Sequence, residues 1–293
     1  MHKSVLLVPV LSHLNLSPGQ AVLDATVGSG GHSEAMLKKV TPGGLLIGLD
    51  QDQKALERTE KRLKETGGKF ILRHQNFRFL DQALSFLNIP AVDAVLLDVG
   101  VSSEQLDEPD RGFSFMKEGP LDMRMNPAAE QTAQHLIYGL SEKELAGIFS
   151  ELGEERYAKR IAQRIVSQRA KTRIQTTFDL KKIIEDAVPS HYRFGRLHPA
   201  TRVFQALRIA LNDELNALQE ALPKAFECLK PGGRLAVISF HSLEDRIVKQ
   251  YFVKQKAGSA GTIVTKKPIE ADEDEIRENP RSRSAKLRII ERS

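Results

Sequence analysis

Two acids and a cluster of glycines near the start of the chain have the types and spacing of a nucleotide-binding site. Residues 21–23 are apolar and predict a short buried strand, which ends at Asp24. The turn that follows holds three glycines, Gly28, Gly30 and Gly31. Glycine can take positive φ and has no Cβ, so a ligand can lie against the backbone there. Asp50 closes the next apolar run, about where a ribose-binding carboxylate belongs in such folds.

The spacing of these glycines favours an adenosine ligand without a diphosphate. The run reads G-x-G-G and departs from the G-x-G-x-x-G fingerprint of dinucleotide-binding folds. The sequence offers no basic partner for a pyrophosphate beside the turn. S-adenosylmethionine is the ligand that fits these properties. A structural turn with a hydrogen-bonded Asp24 is the alternative.

The composition is that of a soluble globular protein with a slight basic excess. The 293 residues include 43 Lys and Arg against 38 Asp and Glu, a net charge of +5 that is compatible with a polyanionic partner. The one cysteine, Cys228, excludes an intrachain disulfide, and no group of side chains has metal-ligand spacing. Apolar runs are too short to span a bilayer and the N-terminus lacks a cleavage site. We therefore expect a cytoplasmic protein that holds no metal.

Alternating strand and helix patterns indicate an α/β fold with a doubly wound, mostly parallel sheet. Apolar runs predict strands at 21–23, 45–50, 70–72, 92–98 and 234–241. Two last strands, 262–265 and 287–290, are expected to form an antiparallel hairpin at the sheet edge, with the acidic run 270–278 between them as a solvated loop. Ligands gather at the carboxyl ends of parallel strands. The glycine turn is therefore expected to converge there with residues that end other strands, Asp50, Phe77 and Asp98.

The strand pattern breaks after the fourth strand, where helical patterns take over. Helices are predicted at 128–138, 141–150, 154–168 and 177–187, and Ser141 with Glu144 forms a plausible capping box. A long helical stretch then runs from 198 to about 230. We therefore predict an inserted helical domain at 115–195 within a discontinuous sheet domain, 1–114 and 196–293.

Several side chains beside the predicted strand ends can take part in chemistry. A carboxylate at Asp98 can accept a hydrogen bond from an amine and so direct the nitrogen lone pair toward an electrophile, although a strand-end cap is the alternative. Phe240 can stack on a base, and His241 can bind substrate or relay a proton. Gln105 is a further candidate for contact with the cofactor. Candidates on the substrate side are His198, Asn212 and Glu214.

Basic residues of the helical insertion suit a nucleic-acid partner. The segment 156–173 carries seven Lys or Arg and no acid. Arg156, Arg160 and Arg164 recur at i+4 and are predicted to form one stripe on a helix. A second stretch, 192–202, mixes aromatic residues with the candidates Arg196, His198 and Arg202. Such a surface favours phosphate contacts and base stacking, although a solvated amphipathic helix is the alternative for the stripe alone.

Long motifs throughout the chain resemble the bacterial 16S ribosomal RNA cytosine-N4 methyltransferases, the RsmH or MraW family. The matching segments are 24–33, 96–107, 111–116, 119–125, 153–156, 198–208 and 238–248. The resemblance implies a class I (Rossmann-like) fold and S-adenosylmethionine-dependent methylation of the exocyclic amine of a decoding-centre cytidine in the small ribosomal subunit. It also implies an insertion that engages substrate. The implied cofactor contacts are Gly30, Gly31, His32, Asp50, Phe77, Asp98 and Gln105.

One departure from amino-methyltransferases in general concerns the residues that orient the amine. Enzymes that act on exocyclic amines often carry a D/N/S-P-P-Y/F motif after the fourth strand, where this chain reads Asp-Val-Gly-Val from Asp98. An oxidoreductase that uses a nicotinamide cofactor, a DNA methyltransferase and a non-enzymatic ribosome-assembly factor stay open as alternatives. A homodimer stays open as well.

Overall fold

Short apolar runs of the sequence form seven β-strands in the computed structural model, which describes residues 3–195 and 197–293. The strands are β1 (Ala21–Asp24), β2 (Leu45–Asp50), β3 (Lys69–His74), β4 (Val92–Asp98), β5 (Leu229–Ser239), β6 (Gly261–Ile263) and β7 (Lys286–Arg292). They form one sheet in the order β3-β2-β1-β4-β5-β7-β6. Strands β1 to β5 pair in parallel, and β7 is antiparallel to both β5 and β6. The predicted α/β fold with a seven-stranded, mostly parallel sheet and an antiparallel edge hairpin is confirmed.

The central strands are nearly continuous in apolar residues because both faces of the sheet are covered. Successive side chains of a strand point to opposite faces. In β4, Val95 and Leu97 therefore pack into one buried cluster, while Ala94 and Leu96 pack into another. Such burial on both faces is typical of parallel strands. The rigid sheet fixes the positions of the residues at the strand ends.

The part of the chain that the structure describes also contains fourteen α-helices. They are α1 (Leu7–Leu14), α2 (Gly31–Val40), α3 (Gln53–Lys64), α4 (Leu80–Phe86), α5 (Ser103–Asp107), α6 (Ala133–Gly139), α7 (Glu142–Glu151), α8 (Ala158–Arg169), α9 (Thr177–Ala187), α10 (Ser190–Arg193), α11 (Pro199–Asn212), α12 (Glu214–Glu227), α13 (Ser242–Ala257) and α14 (Glu273–Glu278). Short 3₁₀ segments lie at Phe77–Phe79, Pro109–Arg111 and Pro280–Ser284. Over residues 3–195 and 197–293, none of the helices combines the length and apolarity that crossing a bilayer requires.

The chain divides into two units, each with its own core. The first unit comprises Met1–Gly100 and Leu215–Ser293 and contains the sheet, and the second comprises Val101–Glu214 and is helical. The second unit extends beyond the predicted insertion, 115–195, at both ends. The reason is that Phe113 on one side and Phe204 on the other are buried in the helical core. The role of this unit in substrate recognition stays a prediction.

Capping boxes define where several helices of the second unit begin. At α7 the hydroxyl of Ser141 accepts a hydrogen bond from the Glu144 amide, and the Glu144 carboxylate accepts one from the Ser141 amide, as the sequence predicts. Equivalent reciprocal pairs begin α6 at Thr132 and α9 at Thr176. Such boxes satisfy amide groups that have no partner inside the helix.

Three predicted helices have different bounds in the structure. The helix predicted at 128–138 is α6, which begins at Ala133 after its N-cap Thr132. The stretch 198–230 is two helices, because Asp213 ends α11 in a left-handed conformation with φ of 51° before α12 begins. Helix α8 begins at Ala158 and not at 154, so Arg156 precedes it. The predicted stripe of three arginines on one helix is therefore wrong for Arg156.

The two ends of the chain contain helices that the sequence pattern did not indicate. Pro9 lies inside α1, where an apolar segment broken by proline gave no helical signal. The acidic run 270–278, predicted to be a loop, contains α14. The side chain of Asp272 accepts a hydrogen bond from the Glu275 amide and so caps that helix.

Candidate active site

Three carboxylates lie at the carboxyl ends of three adjacent parallel strands. Asp24, Asp50 and Asp98 end β1, β2 and β4, and β1 lies between the other two strands. Asp24 pairs with Gly48 of β2 and with Leu96 of β4. Asp50 and Asp98 therefore lie two residues beyond Asp24 in the strand direction. Burial is the main cause that raises the pKa of Asp98 and of Asp24; the charge of Asp24 adds to the first shift, and the charge of Asp50 adds a smaller part to the second. The structure thus brings the three acids into one electrostatic cluster.

Asp50 connects the end of β2 to the glycine turn. Its Oδ2 accepts a hydrogen bond from the Gly28 amide at 2.8 Å, and its Oδ1 accepts one from the Asp52 amide at 2.9 Å. Desolvation by burial is the main cause that raises the pKa of Asp50. The backbone of Gln51 also bonds to this carboxylate, which leaves at least one of its about four lone-pair sites for a ligand hydroxyl. Asp50 can therefore fix the turn and bind a ribose at the same time.

The glycines of the turn meet two different requirements. Gly28 and Gly30 have φ of 51° and 78°, a region that L side chains rarely adopt. A Cβ on Gly30 would lie 2.6 Å from Oγ1 of Thr59, and one on Gly31 would collide with the Ser4 hydroxyl. Protein side chains thus fill the room beside Gly30 and Gly31 that the sequence had assigned to a ligand. Contact of the cofactor with this turn stays a prediction.

Asp24 ties the end of β1 to the first turn of α2. This carboxylate is fully buried, and its oxygens accept hydrogen bonds from the Ser33 hydroxyl at 2.6 Å and the Thr26 amide at 3.2 Å. Burial raises the pKa of Asp24 to about 6, against the lowering effect of these hydrogen bonds. Asp24 therefore stabilises the conformation of the glycine turn through these hydrogen bonds. Direct contact between Asp24 and a cofactor stays a prediction.

Asp98 has a strongly raised pKa. Burial, followed by the charges of Asp24 and Glu244, raises the pKa of Asp98 to about 8. Its side chain is 24% exposed, and its Oδ2 lies 3.6 Å from Nε2 of the buried His32. The Asp98 amide donates a hydrogen bond to the Thr26 hydroxyl at 2.6 Å, which fixes the end of β4 against the end of β1. A cation placed beside this carboxyl would favour its ionised form.

The segment after β5 contains a buried acid, Glu244, that was not among the predicted site residues. Glu244 is 2% exposed, and its Oε2 accepts hydrogen bonds from the amides of Phe240 at 2.8 Å and His241 at 3.2 Å. His241 is the N-cap of α13, and its Nε2 lies 3.1 Å from Oε1 of Glu244. The spacing His-x-x-Glu is that of an N-cap and its third helical residue, which is the signal that could have found Glu244. The half-buried Phe240 and His241 are therefore held by α13, and their catalytic roles stay predictions.

Two further predicted cofactor contacts lie in different units. Phe77 is half-buried in the 3₁₀ segment after β3, where the side chain of Asn76 accepts a hydrogen bond from the Arg78 amide. Gln105 is buried in α5 of the second unit. Its Oε1 accepts a hydrogen bond from the Ser102 amide at 3.0 Å, so it helps to begin that helix. Contact of either residue with a cofactor stays a prediction.

Exposed arginines gather around α8 of the second unit. Arg160 and Arg164 are exposed, whereas Ile161 on the same helix is fully buried. The guanidinium groups of the exposed Arg156 and of Arg160 lie 5.7 and 5.9 Å from the ring centroid of Tyr157. Arg156 and Arg160 thus lie beside the same aromatic ring, although only Arg160 belongs to α8.

The second predicted basic stretch is engaged inside its own unit. His198 caps α11, places its Nε2 3.0 Å from Glu185 and stacks on Phe115 with 5.0 Å between ring centroids. Arg202 donates hydrogen bonds to the Glu154 carbonyl at 3.0 Å and the Tyr192 hydroxyl at 3.2 Å. Arg196 lies outside the residues that the structure describes. RNA contacts of these three residues stay predictions.

The last two candidates join loops and helices of the second unit. Asn212 accepts a hydrogen bond from the Met125 amide at 2.8 Å and donates one to the Met123 carbonyl at 2.9 Å. Glu214 is buried and forms a two-point ion pair with Arg208 at 2.8 and 3.0 Å. These contacts give both residues a structural role.

Comparison with known proteins gives consistent results over nearly the whole chain. The MraW methylase family matches residues 1–293. The ribosomal RNA small subunit methyltransferase H of Syntrophotalea carbinolica is 49% identical over 308 residues, covering 99% of this chain and 98% of the relative. The protein of the same name from Heliobacterium modesticaldum is 49% identical over 307 residues, with the same coverage. The chain therefore belongs to the MraW methylase family and is an S-adenosylmethionine-dependent methyltransferase.

Proposed function

We propose that this methyltransferase transfers the methyl group of S-adenosylmethionine to N4 of a decoding-centre cytidine in the 16S RNA of the small ribosomal subunit. The name shared by the relatives supports a small-subunit ribosomal RNA substrate. The resemblance of the motifs supports cytosine N4 as the acceptor. The observation that carries the proposal is the acid cluster at the ends of β1, β2 and β4, next to the glycine turn.

In this proposal each acid of the cluster has a different role in binding the cofactor. Asp50 accepts hydrogen bonds from the ribose hydroxyls while its existing bond to the Gly28 amide holds the turn. The methionine part of the cofactor lies toward Asp98 and His32, where a sulfonium cation offsets the mutual repulsion of the carboxylates. Asp24 keeps the turn in place from below through the Ser33 hydroxyl.

The methyl transfer itself requires alignment more than a strong base. The N4 lone pair forms a bond to the methyl carbon as the carbon–sulfur bond breaks, and the sulfonium becomes a neutral thioether. Asp98, ionised beside the sulfonium, accepts a hydrogen bond from the amine and so directs the lone pair toward the methyl group. The proton that N4 then loses passes to solvent. Holding the two atoms about 3–3.5 Å apart supplies much of the rate.

The RNA is held by the second unit. The exposed cations Arg156, Arg160 and Arg164 contact phosphates, with support from the stretch that contains Arg196, His198 and Arg202. The target cytosine must leave its stack to reach the methyl group, which favours a region of the RNA that is not duplex. Phe240 stacks on the extruded base.

Removal of the Asp50 carboxylate tests the cofactor site. We expect Asp50→Ala to weaken S-adenosylmethionine binding at least about tenfold, because charged hydrogen bonds contribute about 1.5–3 kcal/mol each. Isothermal titration measures the affinity. Asp274→Ala, which removes an exposed carboxylate on α14, is the matched control. An unchanged affinity in Asp50→Ala would remove this residue from the site.

Analysis of the product tests the acceptor. Small ribosomal subunits that lack the modification are incubated with the enzyme and cofactor tritiated in the methyl group, and the RNA is digested to nucleosides. We expect the label in N4-methylcytidine. Label in another nucleoside, or transfer to DNA but not to RNA, would refute the proposed reaction.

A further inference from the structure

The first described residues of the chain lie against the start of α2. A Cβ on Gly31 would meet the Ser4 hydroxyl before any other atom, so Ser4 covers the first residue of that helix. Val5 and Leu6 are buried in the same core as Met36 and Leu37 of α2. Residues 3–6, named here the N-terminal strap, thus form one wall of the segment that follows the glycine turn.

The N-terminal strap adopts its path at an energetic cost. Leu6 is fully buried with φ of 51° and ψ of 34°, a left-handed conformation that is unfavourable for leucine. This turn places Leu6 directly before α1, where its amide has no acceptor within the helix. A hydrogen bond from a residue outside the strap is therefore needed to satisfy the Leu6 amide and to hold this conformation.

Helix α14, almost 270 residues away in the sequence, supplies that bond. The Leu6 amide donates a hydrogen bond to Oε1 of Glu275 at 2.6 Å. The Asn279 side chain donates one to the Lys3 carbonyl at 3.1 Å, and Lys3 forms an ion pair with Glu278. The Glu275 side chain is half-buried, whereas the Lys3–Glu278 pair is exposed and contributes little. Glu275 is therefore the main contact between α14 and the strap.

We propose that Glu275 is a positioning residue for the cofactor, acting through the N-terminal strap on the glycine turn. The inference rests on the proposed cofactor site at that turn. With the Glu275 bond in place, Ser4 holds the first residue of α2 and keeps His32 beside Asp98, in the arrangement that receives the cofactor. Without it, Leu6 leaves its left-handed conformation, Ser4 moves away from Gly31, and the turn must be ordered by the cofactor itself.

The predicted signature is a change in cofactor affinity at unchanged chemistry. For Glu275→Ala we expect the Kd and KM for S-adenosylmethionine to rise roughly 3- to 30-fold, the range of coupling through packed side chains. The kcat at saturating cofactor stays unchanged, because no group near the reacting atoms is altered. Glu275→Gln keeps a side-chain oxygen for the Leu6 amide and restores the wild-type KM. Asp274→Ala, on the same helix with its carboxylate turned to solvent, leaves KM unchanged.

Isothermal titration with S-adenosylmethionine and steady-state kinetics with small ribosomal subunits measure these effects, and circular dichroism verifies folding. If Glu275→Ala does not fold, Ser4→Gly removes the contact with Gly31 while leaving the Glu275 bond, and it is expected to raise KM in the same sense. Wild-type KM in folded Glu275→Ala, or in Ser4→Gly where the first variant is unfolded, overturns the inference. If Asp50→Ala binds S-adenosylmethionine with wild-type affinity, the proposed cofactor site is refuted. If Asp50→Ala binds it more weakly while Glu275→Ala binds it with wild-type affinity, only the positioning role of Glu275 is refuted.

Discussion

Binding of S-adenosylmethionine is expected to release a proton from Asp98. Burial and the charges of Asp24 and Glu244 raise the pKa of Asp98 to about 8, so in the ligand-free protein at pH 7 about nine-tenths of this carboxyl is protonated. A sulfonium beside Asp98 favours the carboxylate, and the proton must leave before the full attraction is realised.

The raised pKa gives a definite dependence of affinity on pH. If only the ionised form of Asp98 binds the cation well, the apparent Kd is multiplied by one plus the ratio of protonated to ionised carboxyl. For a pKa of about 8 this factor is about 100 at pH 6, about 11 at pH 7 and about 2 at pH 8. S-adenosylmethionine should therefore bind about fivefold more tightly at pH 8 than at pH 7, and about 50-fold more tightly than at pH 6.

Titration calorimetry in two buffers with different ionisation enthalpies measures both the affinity and the number of protons released. We expect about 0.9 proton released per cofactor at pH 7. S-adenosylhomocysteine is the matched control, because it carries the same amino and carboxylate groups but a neutral sulfur. Asp98→Asn should remove the difference between the two ligands. The same pH dependence for both ligands in the wild-type protein would refute the reasoning.

Two further predictions concern the RNA surface and the glycine turn. Replacing both Arg160 and Arg164 with Gln should make the slope of log affinity against log salt concentration shallower by about 1.4 for a single-stranded RNA oligonucleotide. The reason is that each phosphate contact contributes about 0.7 to that slope. The control variant Lys143→Gln, at an exposed site of the same unit, should leave the slope unchanged. Fluorescence anisotropy at several salt concentrations measures it, and an equal slope in the double variant would contradict the RNA role. Gly30→Ala should lower the free energy of unfolding by more than Gly67→Ala, because both glycines have positive φ but only Gly30 also meets another side chain. Urea denaturation measures the difference, expected at about 1–3 kcal/mol, and equal losses would show that the packing around Gly30 is unimportant.

The sheet could be predicted because its signals are local. Each central strand is a short apolar run that ends in a polar residue, as in β4 ending at Asp98, and the fold rule for parallel sheets then places such ends at one edge. The capping box at Ser141 is a local signal of the same kind. Both were confirmed.

Interactions between distant segments could not be predicted from local patterns. The break at Asp213 was missed because the apolar periodicity continues on both sides of it, although Asn212 and Asp213 are residue types that favour helix ends and tolerate the left-handed conformation. The contact between Leu6 and Glu275 joins the two ends of the chain, so no spacing reveals it. The side chains of Thr59 and Ser4 leave no room for a Cβ on Gly30 and Gly31, and both residues belong to segments other than the turn.

The central claim is that the acid cluster at the ends of β1, β2 and β4 holds the cofactor. A crystal structure of the protein with S-adenosylhomocysteine tests it most directly. We expect the ribose hydroxyls within hydrogen-bond distance of the Asp50 carboxylate, at about 2.5–3.0 Å, and the sulfur on the side of Asp98. A ligand bound elsewhere, or one whose ribose lies away from Asp50, would contradict the account.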